Sequence, residues 1–233
     1  MSPRLAVFGA GPGLGLATGR RFGREGFAVT LLARRAERLD GFARELRAKG
    51  IEADAHPADL ADRATHEGLL AELGPVDVAV LHGLLDPGLV RPVLEVDTEN
   101  LLAAMNGALL APHSLSRLLI EGGARTVLHG LGASAALPMA ELGGYGIAGA
   151  GLRNYIHAAH GALAEHGVHL AALLIGGVVG RSDVAAQFDS SGVPATGRLD
   201  PDELAERYWR MHTERDRIEE RAGPYAEGVN VRR

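Results

Sequence analysis

The sequence predicts one three-layer α/β domain built on a doubly wound parallel sheet. Three observations carry this expectation. Short β-branched apolar runs alternate with longer amphipathic stretches, which is the pattern of successive βαβ units. A glycine-rich run, Gly9-Ala10-Gly11-Pro12-Gly13-Leu14-Gly15, stands between the first apolar run and the first amphipathic stretch. The 233 residues suit one large domain, and no repeat, charge block or linker divides them, so residues 1–233 are read as one unit.

The elements follow in order. Arg4 to Phe8 reads as the first strand and Ala28 to Ala33 as the second, with a helix from Leu14 to Glu25 between them. A second helix, Ala36 to Lys49, is closed by Gly50, where a C-terminal glycine is expected. Ile51 to Ala55 is a weak third strand. After a helix from Asp62 to Leu73, the Gly74-Pro75 turn introduces a fourth strand, Val76 to Leu81. Thr98 is expected to cap a long helix reaching about Glu121, and Arg125 to Leu128 gives the fifth strand. A glycine-rich segment then leads into a helix ending near His166, and Val168 to Ile175 is the sixth strand. Asp200-Pro201-Asp202-Glu203 combines a capping Asp, proline at the first helical position and Glu at the third. That helix is expected to run to about Arg221, leaving 223–233 as a tail.

Composition narrows the functional classes. Hydrophobic residues make up 46% and the net charge is −5, which argues against a disordered chain and against a nucleic-acid partner. Without cysteine there is no disulfide scaffold, thiol nucleophile or cysteine zinc site. The longest apolar stretch, Leu170 to Gly180, falls short of the roughly 18 residues of a membrane span, and no basic-then-apolar leader pattern opens the chain. A cytoplasmic protein with no membrane partner is expected. Lys49 is the only lysine among 24 basic residues, so arginine supplies nearly every cation.

The glycine run carries the first chemistry. Glycines let the backbone approach a pyrophosphate, and the helix N-terminus presents unpaired amides and a favourable dipole to the anion. Gly9, Gly11, Gly13, Leu14 and Gly15 are therefore the candidate dinucleotide cradle. His82 and His129 end the fourth and fifth strands, where ligands of doubly wound sheets bind. Each is either an acid or base near neutral pH or a histidine satisfied by its surroundings. The ten histidines include no metal-binding spacing, and no metal site is assigned; His157 and His160 read as surface residues.

The spacing Gly9-x3-Gly13-x-Gly15 resembles the short-chain dehydrogenase/reductase family, and the likeness continues to about Glu220. The resemblance implies a Rossmann-type fold, a nicotinamide cofactor and a small-molecule substrate. Arg34 and Arg35 fall where the family selects the adenosine ribose; arginines there can pair with a 2′-phosphate, which favours NADP(H) over NAD(H). Asp59-Leu60 matches the family's adenine contact, with helix capping as the other role for Asp59. The family's Asn-Asn-Ala-Gly signature reads Leu81, His82, Gly83, Leu84, and its structural asparagine falls at Ala104, two residues from Asn106. Gly176-Gly177 stand where the family has a Pro-Gly turn over the nicotinamide.

The family's Ser, Tyr and Lys work as a unit, the lysine lowering the tyrosine pKa. Tyr145 matches the tyrosine, whereas Gly149 stands at the lysine position. The serine position falls near Gly132, with Ser134 the nearest hydroxyl. Drift in an arginine-rich chain would have left arginine at residue 149, so glycine is a chemical departure. Without a cation the Tyr145 phenol is expected to stay near its usual pKa of about 10. Gly143, Gly144, Gly146, Gly149 and Gly151 crowd one segment; inside a helix each costs about 1 kcal/mol relative to Ala unless a close helix contact or a ligand offsets it, and the other reading is a loop before Ile147, which would cover three of the five.

The expected activity is carbonyl or alcohol redox by hydride transfer, with Tyr145 as acid, Ser134 as oxygen-binding partner and His129 as a further acid-base candidate. The alternative is a non-redox protein on the same fold: a cofactor sensor, a binding module, a cyclase or an isomerase. The resemblance also implies a substrate lid over 181–198 and a homodimer or homotetramer formed through the two long helices.

Overall fold

The computed structural model describes residues 2–83, 86–191 and 197–224. Leu84 and residues 225–233 of the expected tail lie outside the described residues, as do 192–196 of the expected lid. The chain runs through β1 (Arg4–Phe8), α1 (Leu14–Gly23), β2 (Ala28–Ala33), α2 (Ala36–Arg47), β3 (Ala53–Pro57), α3 (His66–Leu73) and β4 (Val78–His82). It continues through α4 (Thr98–Met105), α5 (Ala111–Glu121), β5 (Thr126–Gly132), α6 (Gly143–Ala164) and β6 (His169–Ile175). The last elements are β7 (Val178–Val179), α7 (Asp183–Ser191), β8 (Arg198–Leu199), α8 (Pro201–Glu214) and β9 (Glu219–Ala222).

Seven parallel strands form one sheet in the order β3-β2-β1-β4-β5-β6-β9. The inner strands alternate their side chains between two apolar layers. Leu5, Val7, Val78 and Val80 pack with Leu16, Phe22, Leu39, Leu46, Tyr208 and Met211 of α1, α2 and α8. Ala6, Phe8, Ala79 and Leu81 face Leu69, Leu115, Leu152 and Ile156 of α3, α5 and α6. The strand order reverses between β1 and β4, and register brings the carboxyl ends of those strands level: Phe8 pairs with Leu81, and His82 with Gly130. A crevice therefore opens at that edge of the sheet, where doubly wound folds place their ligands.

Several boundaries differ from the sequence expectation. β3 lies two residues later than expected, and Asp97, not Thr98, caps α4 by accepting the Asn100 amide at 2.7 Å. The long helix is interrupted by a π-turn over Asn106–Leu110, whose extra residue accommodates Pro112 at the start of α5. The largest correction is at 215–222. α8 ends at Glu214, Arg215 turns left-handed, and Glu219–Ala222 forms a seventh strand pairing with Ala172–Ile175. A charged run on an edge strand has no apolar alternation and reads as helix surface.

Charge pairing holds β9. Glu219 receives Arg153, His157 and Arg221, while Glu220 receives Arg207 and Arg210. Burial would raise the Glu219 pKa, but the bonds from Arg153, His157 and Arg221 outweigh it and hold the carboxyl below its usual range. A depressed folded pKa contributes stability above the unfolded value, which is lost as pH falls through the folded one. Glu219→Gln is expected to lower stability at neutral pH by about 1–2 kcal/mol, read from the urea midpoint, and the gap should close in acid below the ordinary carboxylate range. A gap that persists there would contradict this pairing.

Candidate functional site

The crevice has two communicating parts. The smaller, about 310 Å³, is lined by Gly9, Gly11, Arg34, Arg35, Arg38, Asp59, Leu60, Gly83 and Asn106 among others. The larger, about 950 Å³, runs past Gly13, Leu14, Gly15, His82 and Gly83 to His129, Ser134, Tyr145, Gly149 and Gly177. Every expected site residue except Gly176 lines one or both parts; Gly176 sits behind the wall, giving its amide to Ala222 O at 2.8 Å.

The glycine loop has the shape its residues require. Gly9 is left-handed at φ 79°, and a Cβ on Gly15 would stand 2.7 Å from Ala10 Cα, so helix and loop close tightly only with glycine. A Cβ on Gly11 would meet nothing within 4 Å, which leaves that backbone open to the crevice. α1 begins at Leu14 with no side chain bonding its first amides. This loop and the arginines fit the pyrophosphate and adenosine ends of a dinucleotide.

Arg34 and Arg35 are exposed at the end of β2. Arg38, one helical turn beyond Arg35, joins them and lies over the Phe42 ring at 5.8 Å. Sequence reasoning stopped at the strand end and missed it, although the i, i+3 spacing carried the signal. Asp59 accepts the Ala61 amide at 3.1 Å in a turn at the rim. Asn106 accepts Arg63 Nε at 3.0 Å and donates to Ala61 O at 2.9 Å, bracing that rim; Ala104 is buried against Gly144.

Tyr145 lines both parts of the crevice and is 7% exposed. Its hydroxyl accepts the Asp86 amide at 2.7 Å and donates to Asp86 O at 3.2 Å. Burial raises the Tyr145 pKa above its ordinary value, and the bond from the Asp86 amide offsets only part of that. The phenol is thus displaced upward from the expected value. Ser134 is half-buried in the same wall.

The lysine position is tightly packed on one side. A Cβ on Gly149 would stand 3.2 Å from Ala135 Cβ; the cations lining the crevice are Arg34 and Arg35, which border both parts, and Arg38, which borders the smaller one. Close helix contact also explains the neighbouring glycines. A Cβ on Gly143 would meet Val93 Cα at 2.6 Å, on Gly144 Ala104 Cβ at 3.1 Å, and on Gly151 the Leu109 side chain at 3.2 Å.

His129 is buried, with Nε2 on Ser116 Oγ at 2.9 Å, and that hydroxyl donates to Pro112 O. Burial pushes its pKa down to about 3. His82 is pushed to about 4 by the same cause. Its Nε2 and the hydroxyl of buried Tyr208 have no partner among the described residues, and the two rings lie 5.7 Å apart. Tyr208 escaped sequence reasoning because an amphipathic helix does not reveal which strand end its residues meet. His157 is half-exposed and bonded to Glu219, and His160 Nδ1 lies 2.8 Å from Leu170 O.

Fold and site together define a Rossmann-type domain of the doubly wound class with a crevice at the carboxyl edge of its sheet. The sequence model of the short chain dehydrogenase family matches residues 4–190, and the chain belongs to that family. It is 26% identical over 145 residues to the 2,3-dihydro-2,3-dihydroxybenzoate dehydrogenase of Bacillus subtilis (strain 168), an alignment covering 60% of this chain and 56% of that relative's length. An actinorhodin polyketide ketoreductase solved with NADPH superimposes with a TM-score of 0.79 at 23% identity over 89% of each chain. A short chain oxidoreductase of Pseudomonas aeruginosa PAO1, described as containing an atypical catalytic center, gives 0.77 at 20% identity over 99% of this chain and 98% of that one. At these identities the two structures share the fold. No helix among the described residues is long and apolar enough to cross a membrane.

Proposed function

We propose that this chain is an NADP(H)-dependent oxidoreductase acting on a carbonyl or hydroxyl group of a small molecule, with Tyr145 as its proton carrier and no lysine beside it. The observation that carries the reading is a crevice at the carboxyl edge of the sheet lined by three arginines, the glycine loop and a buried tyrosine. When bound, the cofactor supplies the hydride. The glycine loop binds its pyrophosphate, and Arg34, Arg35 and Arg38 receive the 2′-phosphate.

Tyr145 holds a proton for the substrate oxygen, which must first replace the Asp86 peptide as the partner of the hydroxyl. Ser134 offers a second hydroxyl to the same oxygen. His129, whose pKa burial pushes down to about 3, is neutral near pH 7 with its Nε2 engaged by Ser116, and serves as a neutral wall residue. The reading is tested by following NADPH oxidation at 340 nm against a panel of ketones and aldehydes; NADPH binding without turnover of any carbonyl would favour a sensor on this fold.

We also propose a homodimer or homotetramer formed through the long helices. Leu102 of α4, Leu110 of the π-turn and Ile147 of α6 are 60%, 37% and 49% exposed, an apolar surface that association would cover. Light scattering should give a multiple of 24.4 kDa, and Leu102→Glu with Leu110→Glu should shift it to the monomer. A monomeric parent chain would overturn this assembly.

A further inference from the structure

Asp183 is the first residue of α7, on the segment that follows β6, yet it lines the adenosine end of the crevice. Both of its carboxylate oxygens are taken. Arg38 approaches fork-on, with Nη1 2.9 Å from Oδ2 and Nη2 2.7 Å from Oδ1, and Arg35 Nη2 reaches Oδ2 at 2.9 Å. The Arg38 guanidinium, and then that of Arg35, hold this carboxyl below its usual range, so it is ionised at neutral pH.

An oxyanion gripped by one fork and one further guanidinium is the contact set a phosphate monoester seeks. We infer that Asp183 is a specificity-determining residue: it stands in for the 2′-phosphate of NADP(H) on Arg35 and Arg38, and that phosphate binds by displacing it. The inference rests on the NADP(H) reading above. The exchange is favourable because the phosphate brings up to two negative charges and three acceptor oxygens against one charge and two oxygens. NAD(H) has no group for the exchange and leaves the carboxylate in place.

The displacement is also felt beyond the arginines. Gly180 and Ser182 close over the glycine loop, where a Cβ on Gly13 would stand 2.8 Å from Gly180 O. Releasing Asp183 therefore unties the start of α7 from the same wall that receives the pyrophosphate. Competition by Asp183 sets the affinity for the 2′-phosphate below what the arginines alone would give.

The test is calorimetric titration of the full chain and of Asp183→Asn with adenosine 2′,5′-bisphosphate, using 5′-AMP as the ligand without the 2′-phosphate. The variant is expected to bind the bisphosphate about three- to tenfold more tightly and 5′-AMP within about twofold of the parent, a modest gain because the ion pairs are partly exposed. In an Arg35→Ala, Arg38→Ala background the gain from Asp183→Asn should disappear, since both shared partners are gone. Unchanged bisphosphate affinity in Asp183→Asn, or an equal gain for both nucleotides, would overturn the inference and leave the NADP(H) reading standing. Failure of both forms to bind the bisphosphate and NADPH overturns both.

Discussion

Replacing Tyr145 by Phe is expected to lower kcat by about 100-fold or more while NADP(H) affinity stays within about twofold, because the hydroxyl acts on the substrate oxygen and not on the cofactor's anchoring groups. The pH profile makes the assignment specific. Burial raises the Tyr145 pKa, and the groups that act on that hydroxyl are the Asp86 peptide and carboxylate, with no cation among them to pull it down. Reduction uses the neutral phenol as donor, so its rate should be level through neutral pH and fall only above the phenol's raised pKa. Oxidation uses the phenolate, and its rate should climb about tenfold per pH unit up to that pKa. Steady-state rates in both directions between pH 6 and 10 check this. A level oxidation profile across that range, or a Phe variant with unchanged kcat, would remove Tyr145 from the chemistry.

The second large effect concerns cofactor choice. NADP(H) should bind at least about tenfold tighter than NAD(H), since one charge-assisted bond to the 2′-phosphate contributes roughly 1.5–3 kcal/mol and up to three arginines are available. Arg35 is 67% exposed and Arg38 34%, so solvent screening keeps each contribution toward the low end. Arg34→Ala with Arg35→Ala should therefore erode the preference only in part, and adding Arg38→Ala should bring the two dinucleotides close to equal affinity. Fluorescence titration with NADPH and NADH measures both constants directly. Parity in the unaltered chain would sink the preference.

Much of the lining of this crevice is legible in the sequence. The glycine loop, Arg34, Arg35, Asp59, Leu60 and Tyr145 were all readable because each is tied to a strand end or helix start, and strand ends of a parallel sheet share one edge. Arg38 belongs to the same local chemistry but needed the helical turn to bring it round. Asp183 lies 145 residues from Arg38, and nothing in its local sequence indicates an arginine partner. The seventh strand was hidden for a related reason: Glu219 and Glu220 are stabilised by arginines of α6 and α8, a pairing that no local pattern expresses.

By itself the sequence determined the layer architecture, the glycine-rich turn between β1 and α1 and the absence of lysine at residue 149, because periodicity, turn chemistry and residue identity are local properties. The tertiary structure decided what stands in the lysine's place. Ala135 packs against Gly149, the Asp86 peptide holds the Tyr145 hydroxyl, and Ser116 holds His129 while burial keeps that ring neutral. Desolvation and close packing depend on which distant segments meet at the sheet edge, so the protonation states and free partners at the crevice follow from the fold as a whole.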